Sequence, residues 1–224
     1  MGHGARVKGR QERNRLDKPE IPKKREKLEK SDKPAIKIRS HTFEEFVEQV
    51  LRFHGFAAPG VLIGGFMVDL AYRHLPEEGL FDAIAETPKC LPDAIQLLTP
   101  CTVGNGWLIV MNLGRYALTL YDKKTGEGIR VFLDPAKIEA WPEIKNWFFK
   151  LKPKKEQDDR LLTRQIKEAG TSICSIQHIR VAGRVLEKPH RAGFAVCPRC
   201  KESYPTTDGV LCLGCQDMAP YVVS

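Results

Sequence analysis

Apolar residues recur at Phe43, Phe46, Val47, Val50 and Leu51, the spacing of a helix that buries one face. Thr42 followed by Glu45 is a capping-box pattern, and Gly55 supplies a stop. His54 continues the stripe and is expected to point inward, either as a core histidine satisfied by a backbone carbonyl or as a ligand or acid/base group. Pro59-Gly60 opens a second helix, Val61 to Leu75, apolar on nearly all sides until Tyr72 and so expected to run through the core. Gly64-Gly65 in its middle costs helix stability and points to close approach of another backbone.

Phe81 to Glu86 reads as a first strand that delivers the chain to Cys90. Pro92 and Asp93 suit the first turn of a short helix ending at Thr99-Pro100, and Cys101 to Gly106 is a polar loop. Three strands follow: Trp107–Met111 as a solid apolar run, then Tyr116–Tyr121 and Ile129–Leu133 with alternating patterns. Beyond Asp134-Pro135, Ile138, Trp141, Ile144, Trp147 and Phe148 cover an apolar surface, with Pro142 restarting the helix. Lys150–Lys155 is a charged linker, Glu156–Ala169 a helix stopped by Gly170, and Ser172–Val181 has strand composition with Cys174 as a buried apolar residue. The order predicts an α+β domain over residues 41–150, its helices packed on a mixed, largely antiparallel four-stranded sheet. A helical linker and strand (151–190) and a small unit (191–224) complete the chain.

At 224 residues, 42% apolar and 29% charged, the chain can bury one ordinary core and carry a small module. The longest apolar run, Val61 to Leu70, is broken by glycines and falls short of the roughly 20 residues that span a bilayer, and no secretory signal is visible, so a cytoplasmic, non-membrane protein is expected. The net charge of +8 is concentrated: residues 1–40 hold fourteen Lys/Arg against six Asp/Glu, leaving 22 against 22 elsewhere. That segment reads as a basic, disordered solvating arm or one that docks on an acidic partner or RNA. Nothing resembles a nucleotide loop, a Ser-His-Asp arrangement or a carboxylate pair, so no complete catalytic constellation is present.

Four of the seven cysteines form two knuckles, Cys197-Pro-Arg-Cys200 and Cys212-Leu-Gly-Cys215. Two such turns complete a thiolate tetrahedron suited to structural zinc, with iron the competing occupant, and four protein ligands leave no open position for chemistry. A second constellation joins His54, Cys90 and Cys101, with Asp93, Thr102 and Asn105 as polar neighbours. Cys90 at a helix N-terminus is expected to have a depressed pKa. Cys101 shares its site only if the loop folds back, because the intervening helix spans about 13 Å.

The run Phe53-His54-Gly55-Phe56-Ala57-Ala58-Pro59-Gly60, then Cys90-Leu91-Pro92-Asp93-Ala94-Ile95-Gln96, then Pro100-Cys101-Thr102 with Gly104-Asn105-Gly106, and finally the knuckles, resembles the FmdE/FwdE-like family of formylmethanofuran dehydrogenase proteins across about residues 41–219. The resemblance implies a sheet like that of the glyceraldehyde-3-phosphate dehydrogenase catalytic domain, followed by a treble-clef-like zinc domain. The family's His-Gly-His-x-Cys-Pro-Gly keeps His54, Gly55, Pro59 and Gly60 here, but Phe56 stands at the second histidine and Ala58 at the cysteine. What survives is a thinned site of one imidazole and up to two thiolates, open to a second metal ion of unspecified identity.

The resulting expectation is a metal-binding accessory protein connected with a molybdenum or tungsten formylmethanofuran dehydrogenase, with the other members of that enzyme complex as partners. The alternative is a nucleic-acid-binding or protein-interaction module that uses the basic arm and the knuckles, where Lys188, His190, Arg191, Arg199 and Lys201 are offset by Glu202, Asp208 and Asp217. A homodimer through the helices after Asp134 is a third arrangement.

Overall fold

The computed structural model describes residues 36–75, 79–187 and 193–221. Expectations for most of the basic arm therefore lie outside the described residues. Its last residues do not: β1 (Lys37–Ile38) pairs antiparallel with β2 (His41–Thr42), and Ile38 is fully buried. The Arg39 N–H donates to Asp69 Oδ1 at 2.8 Å and its guanidinium lies over the Tyr72 ring. The packed chain thus begins before the change of composition at His41, because two isoleucines in a charged stretch suffice to anchor a two-residue strand.

Helix α1 (Phe43–His54) starts at the capping box, with Thr42 Oγ1 accepting the Glu45 N–H and Glu45 Oε2 accepting the Thr42 N–H. Phe43, Phe46 and Val50 are buried, but Leu51 is exposed, so the stripe is narrower than its spacing suggested. Helix α2 (Pro59–Tyr72) is buried along nearly its whole length. The two glycines at its centre answer to side chains rather than to another backbone. A Cβ on Gly64 would stand 2.7 Å from the Ala94 methyl, and one on Gly65 would stand 2.3 Å from the Phe46 ring. α1 and α3 (Leu91–Leu98) lie close against α2 because those two positions carry no side chain.

The sheet has five strands, not four, in the order β4-β3-β5-β6-β7. β3 (Phe81–Ala85) and β4 (Leu108–Val110) are parallel and joined by α3, while β5 (Ala117–Asp122), β6 (Glu127–Leu133) and β7 (Cys174–Arg180) continue antiparallel. The extra strand is the segment whose strand composition was visible in the sequence, but whose partner was not. β7 pairs with β6 from Glu127↔Arg180 to Leu133↔Cys174, a partnership across some forty residues that no local pattern encodes. Leu118, Leu120, Ile129, Val131 and Leu133 face the helices and merge with α2 into one core, joined by Ile138, Ile144 of α4 (Pro142–Phe148), and Leu162 and Ile166 of α5 (Asp159–Ala169). Asp158 caps α5, accepting N–H bonds from Arg160 and Leu161. A short helix, α6 (Gly183–Leu186), leads out of β7, and the C-terminal unit contains one hairpin, β8 (Phe194–Val196) with β9 (Ser203–Pro205). No described helix is long and apolar enough to cross a membrane.

Candidate metal centre and core-domain pocket

The knuckles are built by short turns. Cys197 leaves β8, its N–H donating to Glu202 O while Lys201 N–H returns to Cys197 O, with Lys201 in the left-handed region at φ 68°. Cys212 opens a 3₁₀ turn over Leu213–Gln216, in which the Cys215 N–H donates to Cys212 O. Gln216 ties this turn to Asp208 O and Leu211 O, and Arg199 reaches Cys215 O at 3.1 Å. All four sulfurs lie within 4.8 Å of one another. Thiolates bound at about 2.3 Å to one tetrahedral ion stand about 3.8 Å apart, and Cys200 Sγ and Cys212 Sγ are 3.7 Å apart. The donor set therefore fits zinc in number, chemistry and spacing.

Electrostatics within the cluster are divided. Backbone N–H groups of Cys212 and Cys200 hold the Cys197 thiol down to about 6, whereas loss of solvent and the neighbouring sulfurs push Cys215 up to about 12. A cation is the natural compensation for four sulfurs at this separation. The unit has little else to hold it. Tyr204 is buried and donates to Gly209 O, but Phe194, Val196, Val210, Leu213, Met218 and Tyr221 are all exposed.

In the core domain, the structure brings His54 and Asp93 together: the imidazole Nδ1 and carboxylate Oδ2 are 2.5 Å apart, and the Phe56 ring tilts against the imidazole at 4.9 Å. His54 Nδ1 is thus paired with a carboxylate rather than with a backbone carbonyl. Cys90 precedes α3 with φ 62°, and its sulfur lies against Gly60 at the start of α2. Its pKa is raised, not depressed: burial dominates, the Asp93 carboxylate adds to it, and Lys150, Lys89 and the Val61 N–H only partly oppose them. The helix terminus expected to favour thiolate is outweighed first by burial of the sulfur and then by Asp93 in its own first turn.

Cys101 belongs to different surroundings at the far end of α3, where its thiol donates to Phe81 O at 3.5 Å and burial raises its pKa. Thr102 and Asn105 close their own loop by reciprocal hydrogen bonds, and Asn105 also bonds Pro100 O and Trp107 N–H. Among the described residues the knuckles alone bring three or more His, Cys, Asp or Glu ligand atoms together. His54, Cys90 and Cys101 do not form a three-ligand metal site. Tyr116 was missed as a site residue; its place in an apolar strand pattern gave no sign that its hydroxyl would reach Gly60. A separate cleft of about 590 Å³ lies beyond the C-terminal end of α2, with His74, Asp122, Glu127, His178 and Arg180 among its lining residues.

With this geometry in place, comparison with known proteins is decisive for the family. Residues 53–181 match the family model described as FmdE, molybdenum formylmethanofuran dehydrogenase operon, which is more than half of the chain. The chain belongs to the FmdE family. Residues 188–222 match the FmdE treble clef zinc finger, which contains both knuckles. A solved structure of a tungsten formylmethanofuran dehydrogenase FmdE-like protein from Syntrophus aciditrophicus is 54% identical, covers 85% of this chain and all of that one, and superposes with a TM-score of 0.79. A probable S-adenosyl-L-methionine-binding protein of Archaeoglobus fulgidus is 29% identical over 184 residues, 73% of this chain. The FmdE chain described here spans about half the length of that curated relative.

Proposed function

We propose that this FmdE-family protein is a cytoplasmic accessory protein in which Cys197, Cys200, Cys212 and Cys215 hold one structural zinc, and that it serves a molybdenum or tungsten formylmethanofuran-dehydrogenase-type enzyme as a component or assembly partner. The observation that carries the zinc reading is the convergence of four sulfurs inside a match to a treble clef zinc finger. The zinc closes the C-terminal unit and supplies no open coordination position, so it holds a surface together and takes no part in a reaction. The partner reading is supported by the family description and by the solved FmdE-like protein.

Elemental analysis tests both halves. Purified protein should contain one zinc per chain, lost in Cys212→Ser, and tagged protein isolated gently from its source cells should co-elute with molybdenum or tungsten in a dehydrogenase complex. Zinc absent from folded protein would sink the first half, and absence of both heavier metals from the eluate would sink the second. A second reading, binding of S-adenosylmethionine, is favoured by the Archaeoglobus relative together with the cleft, whose volume suits a small ligand and whose carboxylates, imidazoles and Arg180 suit a zwitterion. Equilibrium dialysis with S-adenosylmethionine checks it, and no retention by the zinc-loaded chain would end it.

A further inference from the structure

The five-stranded sheet ends in two unlike edges. At one, β4 presents only three residues, and a strand that short offers little to pair with. At the other, β7 presents seven, Cys174–Arg180, with no proline, lysine or bulge along them to discourage pairing. The ladder with β6 fixes which groups of β7 point outward. The Asp134 N–H donates to Ile173 O and the Val181 N–H to Gly126 O, so Ser175, Gln177 and Ile179 exchange the ladder bonds between them. The N–H and C=O groups of Cys174, Ile176, His178 and Arg180 therefore face away from β6.

Among the described residues, Cys174 alone of these four is satisfied. Its N–H donates to Thr171 O and its C=O accepts from the Lys137 ammonium at 2.6 Å. Ile176, His178 and Arg180 are left as a row of three unpaired backbone positions, and Gln177, His178 and Arg180 are exposed. The row is complementary to itself. A two-fold axis through His178, normal to the sheet, sets Ile176 opposite Arg180 of a second copy and His178 opposite its own equivalent, and every outward group then has a partner.

Neighbouring groups select this register. Sliding the pairing by two residues toward Cys174 calls on a carbonyl already held by Lys137 and an N–H already given to Thr171. Sliding it two residues the other way sets Ile176 opposite Ala182, where the chain has turned into α6. In the selected register Arg180 lies opposite an isoleucine and keeps its ion pair with Glu127 of its own β6, so no fixed charges of like sign face each other. The basic segment 1–35 is a poor occupant by comparison, because it has no alternating apolar run and would bring more positive charge to Arg180.

We infer that two copies of this chain pair antiparallel through the free edge of β7, about His178, and so join their sheets into one with the helices of both on the same side. This interface is distinct from one through the helices after Asp134, and it does not depend on the zinc or dehydrogenase readings.

Sedimentation equilibrium of the full, zinc-loaded chain should give the mass of two chains. His178→Pro removes an outward N–H and puts a ring where the second strand lies, without taking a bond from β6. It should weaken self-association at least tenfold with zinc retained. Cysteine cross-linking reads the register itself, and it decides the matter even if the proline variant fails to fold. Residues facing each other in a hydrogen-bonded pair have Cα atoms about 5.5 Å apart, within the span of a disulfide. His178→Cys should therefore give disulfide-linked dimers on mild oxidation, whereas Gln177→Cys, set opposite Ile179, should give few. Three outcomes would overturn the proposal. They are single chains throughout the micromolar range, meaning the edge serves another partner or none; undiminished dimers in folded His178→Pro, which would move the interface elsewhere; or linkage in Gln177→Cys that equals or exceeds that in His178→Cys.

Discussion

The sheet domain and the C-terminal unit of this FmdE-family protein solve the same problem by different means. In the sheet domain, α2 packs against α1, α3, α5 and the central strands β5 and β6, and some thirty residues share one apolar core. Across residues 193–221 the large apolar side chains mostly face outward, and four sulfurs occupy the place of a core. A chain of about thirty residues cannot bury enough surface to offset its conformational entropy, whereas a structural zinc contributes about 10–16 kcal/mol in comparable small modules. The two regions should therefore respond to opposite perturbations.

The largest effect expected is on the C-terminal unit alone. Chelation, or Cys212→Ser, should make residues 193–221 susceptible to protease while the main unfolding transition of the sheet domain moves little. Retained protection of that segment after zinc removal would erase the contrast between the two regions.

Conversely, Gly65→Ala should damage only the sheet domain. The added Cβ would meet the fully buried Phe46 ring at 2.3 Å, and overpacking of this kind costs about 1–3 kcal/mol. The urea midpoint should fall with zinc content unchanged, and an unaltered midpoint would mean that α1 is free to move away from α2.

A smaller loss is expected from shortening the N-terminus. Starting the chain at Ser40 removes the buried Ile38, worth about 1.5–3 kcal/mol, and the Arg39 contacts with Asp69 and Tyr72, so the thermal midpoint should drop by about 4–10 °C. Starting at Ala35 should cost nothing measurable. Equal midpoints for the two truncations would show that the β1–β2 hairpin is not part of the core.

The smallest effect is a pH slope confined to the sheet domain. Burial raises the Glu86 pKa, but hydrogen bonds and charge from Arg130 and Arg115 outweigh it and hold the carboxyl below its usual 4.5. A depressed folded-state pKa contributes stability that is present above the unfolded value and is lost as pH falls below about 4.5 through the folded value. Glu86→Gln should be less stable than the parent at pH 7, and the gap should narrow on acidification. A gap that stays constant with pH would remove the ion pair from the account.

These outcomes bear on what each level of structure decides. Element type was legible wherever it depends on neighbours in sequence: the capping box before Phe43, the apolar α2, Pro142 restarting a helix, and the alternation of Ile129–Leu133. The knuckle pairs were legible too, because two thiolates from one tight turn are a local arrangement. What sequence spacing could not provide was partnership at a distance. The β6–β7 pairing that makes the sheet five-stranded and the burial of Ile38 both depend on how finished elements pack.

The core-domain pocket shows the same division most sharply. The sequence by itself named His54 and Cys90 as residues with chemistry to offer, and its composition supplied Asp93 nearby. Tertiary packing then bound His54 to Asp93, buried the Cys90 sulfur enough to favour the thiol, and brought the Tyr116 hydroxyl, just ahead of β5, against Gly60 in the first turn of α2. A side chain's chemical type is written in the chain, but its protonation, its partners and the field it feels are set by burial and by charges that only the folded molecule brings within reach.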